Sequence, residues 1–137
     1  MDVEGELSPD TVEEARDAYQ AAGPTAQVVV KEVAKAMEFD REEYRERVTG
    51  GVVETARDAL FASRLAVHVG TREAFESWRE GFDGDVLVRG SEHVERVAWH
   101  VAPFAEQAVA ATFQDERDAA VSTLRRQAYG ELYEERL

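Results

Sequence analysis

Two histidines, His68 and His100, are the side chains in this sequence best able to do acid–base or metal chemistry. Each lies in a stretch where bulky apolar residues alternate with smaller ones, a pattern typical of β-strands. If the bulky residues of both stretches face one side of a sheet, the histidines share the other side with alanines. There they could bind a metal ion or transfer protons, completed by a carboxylate from Glu92, Glu95 or Glu106.

The spacing of the two histidines weakens this hypothesis, because it matches no recognised ligand pattern. We favour the alternative that His68 and His100 lie at the margin of a small-residue face and bond to backbone or water. We therefore expect no metal ion and no cofactor. The sequence also has no phosphate-binding glycine loop, nucleophile elbow or His-Glu-x-x-His motif, which counts against the large enzyme superfamilies that use them.

A second group of candidates lies near the carboxyl end of the chain and comprises Arg125, Arg126, Tyr129 and Tyr133. Arginine with aromatic residues is the composition of protein-interface hot spots and also of base-stacking sites. The alternative is that these residues form the solvated edge of an amphipathic helix. We take the four as candidates for binding a partner, which we expect to be protein, either a second copy or another chain.

The charge of the chain bears on both its solvent and its partners. Its 137 residues include 29 acidic and 16 basic ones, for a net charge of −13, and Lys31 and Lys35 are its only lysines. An acidic surface with few lysines is typical of proteins adapted to concentrated salt, where a Debye length of about 3 Å screens repulsion between carboxylates. An ordinary acidic protein is the alternative. The negative charge disfavours nucleic acid as a partner.

Other features of composition suggest where the protein works. Cysteine is absent, which excludes disulfides and thiolate zinc sites and agrees with a reducing compartment. No apolar run approaches the roughly 20 residues of a membrane span, and the first residues are acidic where a signal peptide would be basic. We expect a cytoplasmic protein that does not associate with a membrane.

The elements that would position these candidate residues change in character near residue 63. Before it, the pattern predicts four helices, over about 9–22, 25–37, 40–49 and 52–62. Ser8-Pro9 would begin the first helix and Gly23-Pro24 would end it. Asp40 and Glu43 form a capping box for the third helix, and Gly50-Gly51 separates the third helix from the fourth.

After residue 63 the period becomes that of strands. The pattern predicts strands near residues 65–69, 86–89, 94–102 and 108–113, a short helix capped by Thr71 and a last helix capped by Asp115. The fold class is therefore α+β: an N-terminal four-helix segment followed by strand–helix–strand–strand–strand–helix. Because the connections are short, we predict a largely antiparallel four-stranded sheet. We expect a single domain over residues 1–137, with a helical part at 1–62 and an α+β part at 63–137.

Four stretches of the sequence are distinctive: residues 32–40 (EVAKAMEFD), 69–73 (VGTRE), 111–114 (ATFQ) and 124–130 (LRRQAYG). In these stretches the sequence resembles an uncharacterised small acidic protein family of haloarchaea. The resemblance extends over most of the chain and implies a cytoplasmic, salt-adapted protein. Because no function is known for that family, the resemblance implies no site residue.

Three classes of function follow from these observations. We favour a non-enzymatic protein-interaction or regulatory module that binds through its last helix or a sheet edge. One alternative is a small enzyme or a ligand- or metal-binding protein that uses the His68/His100 face. The other is a nucleic-acid-binding protein that uses the second and third predicted helices as a helix-turn-helix-like pair, or Arg125 and Arg126 as the contact.

Overall fold

A five-stranded mixed sheet carries helices on both faces in the computed structural model, which describes residues 1–137. The strands are β1 (Asp2–Glu4), β2 (Val67–Thr71), β3 (Asp85–Arg89), β4 (Arg96–Ala102) and β5 (Gln107–Phe113). The helices are α1 (Val12–Ala36), α2 (Arg41–Arg47), α3 (Gly50–Ser63), α4 (Arg72–Glu80) and α5 (Arg117–Ala128), with a 3-10 turn at Pro103–Ala105 and a π-helical turn at Tyr129–Tyr133. The predicted α+β class is confirmed.

The N-terminal part contains three helices, so the predicted four-helix segment is wrong. α1 continues through Gly23-Pro24, the pair expected to end the first helix. A proline in a helix interior costs about 3 kcal/mol, since it removes a hydrogen bond and crowds the preceding turn. α1 nevertheless continues because its buried positions recur every four residues along the side that packs on α3: Ala22, Ala26, Val30 and Ala34.

Side-chain caps fix where most of the helices begin. Thr11 caps α1 in place of the predicted Ser8, and its hydroxyl accepts a backbone hydrogen bond at 3.1 Å. The predicted capping box of α2 is confirmed, with Asp40 Oδ1 accepting from the N–H of Glu43 at 2.8 Å. Thr71 caps α4 as predicted. These contacts are local in sequence, which is why the caps of Asp40 and Thr71 could be predicted. The predicted Asp115 cap of the last helix is wrong, because α5 begins after Glu116 and no side chain caps it.

The sheet has the strand order β1-β2-β4-β5-β3, so the prediction of a largely antiparallel four-stranded sheet is also wrong. β1 adds a fifth strand, antiparallel to β2, at one edge. At the other edge, β3 pairs with β5 in parallel, because the connection from β3 to β4 passes over the end of β5. Ser91 in that connection donates its N–H to the hydroxyl of Thr112 at 3.1 Å. A short connection can thus skip one strand, which a hairpin cannot.

The register of the strands places the two histidines on opposite faces of the sheet. His68 lies directly across from Trp99, and His100 lies across from Val109. Residues that face each other across an antiparallel pair share one face, so His68 is on the face of Trp99 and His100 on the other. The predicted small-residue face carrying both histidines is therefore wrong. A one-residue error in relative register is sufficient to exchange the faces of a strand.

Each face of the sheet has its own apolar core. On the first face, α1, α3 and α5 cover Val67, Val69, Ala98 and Val109, and the ring of Phe61 lies at the centre. On the second face, α4 packs Phe75 and Trp78 against Trp99, Val97 and Ala110. The first core contains residues from both parts of the chain. That residues 1–137 form a single domain stays a prediction. None of the helices combines the length and apolar character needed to span a membrane.

Candidate functional site

His100 is fully buried, and the protein satisfies both of its ring nitrogens. Nδ1 lies 2.7 Å from the carbonyl oxygen of Ala66, and Nε2 lies 2.6 Å from the hydroxyl of Tyr133. A carbonyl can only accept, so the network assigns the proton to Nδ1, and Nε2 accepts from Tyr133. Burial lowers the pKa of His100 to about 4, and the positive charge of Arg125 acts in the same direction. His100 is therefore neutral near pH 7, and neither nitrogen is available to a ligand.

Tyr133, one of the four predicted partner-binding residues, belongs to the core and not to the surface. Its side chain is fully buried, its ring lies 5.3 Å from that of Phe61, and its hydroxyl is occupied by His100. Burial raises the pKa of this hydroxyl. Tyr133 thus anchors the π-helical turn in the first core.

His68 lies partly buried on the second face, stacked on Trp99 with ring centroids 5.4 Å apart. Burial lowers its pKa, and its Nδ1 has no hydrogen-bond partner in the protein. Because His68 and His100 lie on opposite faces, they cannot bind one ligand from a common surface. No group of three histidine, aspartate or glutamate side chains is close enough to hold a metal ion.

The other three predicted partner-binding residues line a single cleft between α3 and α5. We call it the α3–α5 cleft; its volume is about 450 Å³. α5 and the residues that follow it contribute Ser122, Arg125, Arg126, Tyr129, Gly130 and Glu134, and α3 contributes Thr55, Asp58, Ala59, Ala62 and Ser63. The structure therefore brings together Arg125, Arg126 and Tyr129 as the sequence suggested, and adds the wall from α3.

Asp58 anchors a hydrogen-bond network at this cleft that the sequence analysis missed. Its Oδ1 accepts from the hydroxyl of Tyr19 at 2.6 Å and from that of Tyr129 at 2.8 Å, while its Oδ2 accepts nothing from the protein. Burial raises the pKa of both tyrosines, and the hydrogen bond to Asp58 and its negative charge act in the same direction. Both hydroxyls therefore stay protonated and donate to Asp58.

The two arginines of the cleft differ in how firmly they are held. Arg125 is partly buried, and its Nε donates to the carbonyl oxygen of Leu65 at 2.9 Å, which fixes the plane of the guanidinium. Arg126 is exposed. Neither forms an ion pair with a carboxylate, in contrast to Arg64, Arg72, Arg89 and Arg117. The cleft thus offers one oriented and one adaptable guanidinium.

A signal in the sequence could have identified the wall from α3. Polar or small residues recur there at Thr55, Asp58, Ala59 and Ala62, with the spacing of one helix face. The same spacing recurs on α5 at Ser122, Arg125, Arg126 and Tyr129. These two faces form the walls of the α3–α5 cleft.

Comparison with known proteins identifies the family but no activity. Residues 6–134 match the family of unknown function DUF5809, and the chain belongs to that family. The match covers both walls of the α3–α5 cleft. No curated protein and no solved structure matches the chain.

Proposed function

We propose that this member of a family of unknown function is a non-enzymatic interaction module of the cytoplasm of a salt-adapted, haloarchaeal cell. In this proposal its partner is another protein, and an acidic residue of that protein enters the α3–α5 cleft. The observation that carries the proposal is the placement of Arg125, Arg126 and Tyr129 along one wall of a cavity of about 450 Å³.

The donors and acceptors of the cleft match an acidic residue within a peptide. Guanidinium groups bind carboxylates through paired hydrogen bonds, and Arg125 is already oriented by its contact with Leu65. The free Oδ2 of Asp58 and the carboxylate of Glu134 require donors, which the N–H groups of a peptide backbone supply. A ligand that has both a carboxylate and neighbouring N–H groups therefore satisfies both halves of the cleft.

The charges of the cleft argue against nucleic-acid binding, and the states of Tyr129 and His100 argue against catalysis. Phosphates carry acceptors only, so Asp58 and Glu134 would repel a nucleic-acid backbone at the point where the arginines attract it. The pKa of Tyr129 is raised away from neutrality, which makes it a poor acid or base for catalysis near pH 7. His100 has no free nitrogen, which weakens the enzyme hypothesis based on the two histidines.

Composition supports the salt-adapted part of the proposal. The net charge of −13 with only Lys31 and Lys35 as lysines suits a solvent that screens carboxylate repulsion. The absence of cysteine agrees with a cytoplasmic location. Both features describe the whole chain, so neither depends on what the cleft binds.

A matched pair of peptides tests the proposed binding. The probes are a blocked alanine pentapeptide with a central glutamate and the same peptide with a central glutamine, titrated into ¹⁵N-labelled protein at constant salt. We expect the glutamate peptide to shift backbone amides of α3 and α5 and to bind about tenfold more tightly than the glutamine peptide, the value of a charge-assisted hydrogen bond. Arg126→Gln should reduce that difference, since it leaves only the guanidinium of Arg125 in the cleft.

Arg41→Gln is the control, because Arg41 is an exposed arginine of α2 outside the cleft. It removes the same charge from the protein and should leave the preference for glutamate unchanged. Equal binding of the two peptides, or amide shifts confined to residues outside α3 and α5, would refute the proposed partner chemistry.

A further inference from the structure

The outer edge of the sheet ends in an uncovered strand, β3. It pairs with β5 on one side, and no strand lies on its other side. Leu87 and Val88 at its centre are 43% and 36% exposed, although both are large apolar residues. An exposed apolar edge strand pairs readily with another strand, and proteins usually blunt such an edge with proline, a bulge or a covering loop. β3 has no proline among its five residues.

The alternating direction of the backbone N–H and C=O groups along β3 determines which of them are unpaired. Asp85 donates its N–H to the carbonyl oxygen of Glu106 at 2.9 Å, on the side of β5. Neighbouring residues of a strand point their N–H and C=O groups in opposite directions within the sheet. Leu87 and Arg89 therefore also direct theirs towards β5, and Val86 and Val88 direct theirs outwards.

The sequence of β3, Asp-Val-Leu-Val-Arg, is complementary to itself when two copies run antiparallel. With Leu87 on the two-fold axis, Val86 lies opposite Val88 of the other copy, and Asp85 lies opposite Arg89. The outward backbone groups of Val86 and Val88 then meet as two hydrogen-bonded pairs, each exchanging both N–H···O bonds. Because a two-fold axis relates the two copies, both use the same patch and the contact is isologous. Opposite charges lie at both ends of the contact, and apolar residues lie between them.

Side-chain directions agree with this register. Asp85, Leu87 and Arg89 lie across from Gln107, Val109 and Ala111, which places all three on the face covered by α5. Arg89 also donates to Glu131 of its own chain at 2.9 Å, which holds its guanidinium on that face. Both members of each Asp85–Arg89 pair therefore lie on the same side of the joined sheet.

We propose that two copies of this chain associate through antiparallel pairing of their β3 strands, centred on Leu87, so that the two five-stranded sheets become one. The contact lies on a strand edge and does not include the residues of the α3–α5 cleft. The inference therefore goes beyond the proposed function and does not depend on it.

Two charge reversals test this register. Asp85→Arg gives an edge with arginine at both ends, and Arg89→Asp gives an edge with aspartate at both ends. Each variant alone places like charges opposite each other, so we expect its dimer to dissociate about tenfold more readily, since exposed cross-strand pairs are individually weak. An equimolar mixture of the two variants restores both opposite-charge pairs and should recover a heterodimer of wild-type strength.

Sedimentation velocity over a range of protein concentrations measures association, with far-UV circular dichroism to confirm folding. Glu131→Gln is the control for the lost contact of Arg89 within its own chain and should dimerise like the wild type. In the wild-type protein, hydrogen exchange at the amides of Val86 and Val88 should slow as the protein concentration rises. This measurement does not depend on whether a variant folds.

Three results would overturn the proposal. The first is a wild-type protein that stays monomeric at every concentration. The second is a dimer that neither charge reversal weakens, which would place the contact elsewhere, for example on the exposed apolar residues Val28 and Val33 of α1 and Met37 just after it. The third is a mixture of the two variants that associates no better than each variant alone, which would exclude the register centred on Leu87.

Discussion

Acidification should destabilise this protein through His100. The ring is fully buried and hydrogen-bonded in its neutral form to Ala66 and Tyr133, and burial lowers its pKa from 6.5 to about 4. Between these two values the unfolded chain binds a proton that the folded chain does not. The stability that comes from keeping His100 neutral is therefore fully present above about pH 6.5, and it is lost as the pH is lowered towards 4.

The magnitude follows from the two pKa values. The difference between 6.5 and about 4, at 1.36 kcal/mol for each pH unit, corresponds to about 3 kcal/mol of unfolding free energy. The pKa of His68 is also lowered by burial, so His68 adds a loss in the same direction. A loss of this size is a large part of the 5–15 kcal/mol that typical domains have.

Urea unfolding at constant KCl, followed by the fluorescence of Trp78 and Trp99, measures the effect between about pH 7.5 and 4. His100→Gln removes the titrating ring; it lowers stability at neutral pH but should flatten the pH dependence by about 3 kcal/mol relative to the wild type. His93→Gln is the matched control, because the side chain of His93 is 87% exposed, and it should keep the wild-type slope. The loss of unfolding free energy between about pH 7.5 and 4 is compared for the two proteins. If the losses of the wild type and His100→Gln differ by less than about 1 kcal/mol, the assignment of His100 as neutral and buried is refuted.

Three further outcomes are expected. Because the net charge is −13, the melting temperature should fall as KCl is diluted below about 0.2 M, and a flat melting temperature up to molar KCl would contradict salt adaptation. Tyr133→Phe leaves Nε2 of His100 without a donor and should cost about 1–3 kcal/mol in urea unfolding, with unchanged far-UV circular dichroism. Pro24→Ala restores a hydrogen-bond donor in the middle of α1 and should stabilise the fold by about 1–3 kcal/mol. Pro9→Ala is the control, because Pro9 lies outside any helix, and it should give no such gain. A Pro24→Ala variant that is less stable than the wild type would show that the proline is required in α1.

Local signals predicted what depends on neighbours in sequence. The capping box of Asp40 and the Thr71 cap involve residues three positions apart, and the change of period near residue 63 gave the α+β class. Gly23-Pro24 misled because the packing of α1 on α3, which involves residues far apart in sequence, outweighs a local helix-breaking signal. β1 was missed because three residues, of which Val3 alone is apolar, are too few to show alternation.

The candidate site shows the same limit. The sequence of the last helix suggested Arg125, Arg126 and Tyr129 as partner-binding candidates, and the three residues line one cleft. It could not show that Tyr133 is buried, because the π-helical turn shifts the helical period after Ala128. Nor could it show that Tyr19, remote in sequence, shares Asp58 with Tyr129. The histidine pair was misplaced for a related reason, since the faces of two strands can be compared only once their register is known.

The proposed salt adaptation restricts how the protein can recognise its partners. At molar salt the Debye length of about 3 Å removes long-range steering, so only groups in direct contact discriminate. The two proposed contacts satisfy this condition by different means. In the α3–α5 cleft, Arg125 is oriented by Leu65, so a carboxylate meets a fixed guanidinium. At β3, backbone hydrogen bonds and Leu87 provide most of the contact, and the charges of Asp85 and Arg89 mainly select the register. We therefore expect added salt to weaken binding in the cleft more than pairing at β3.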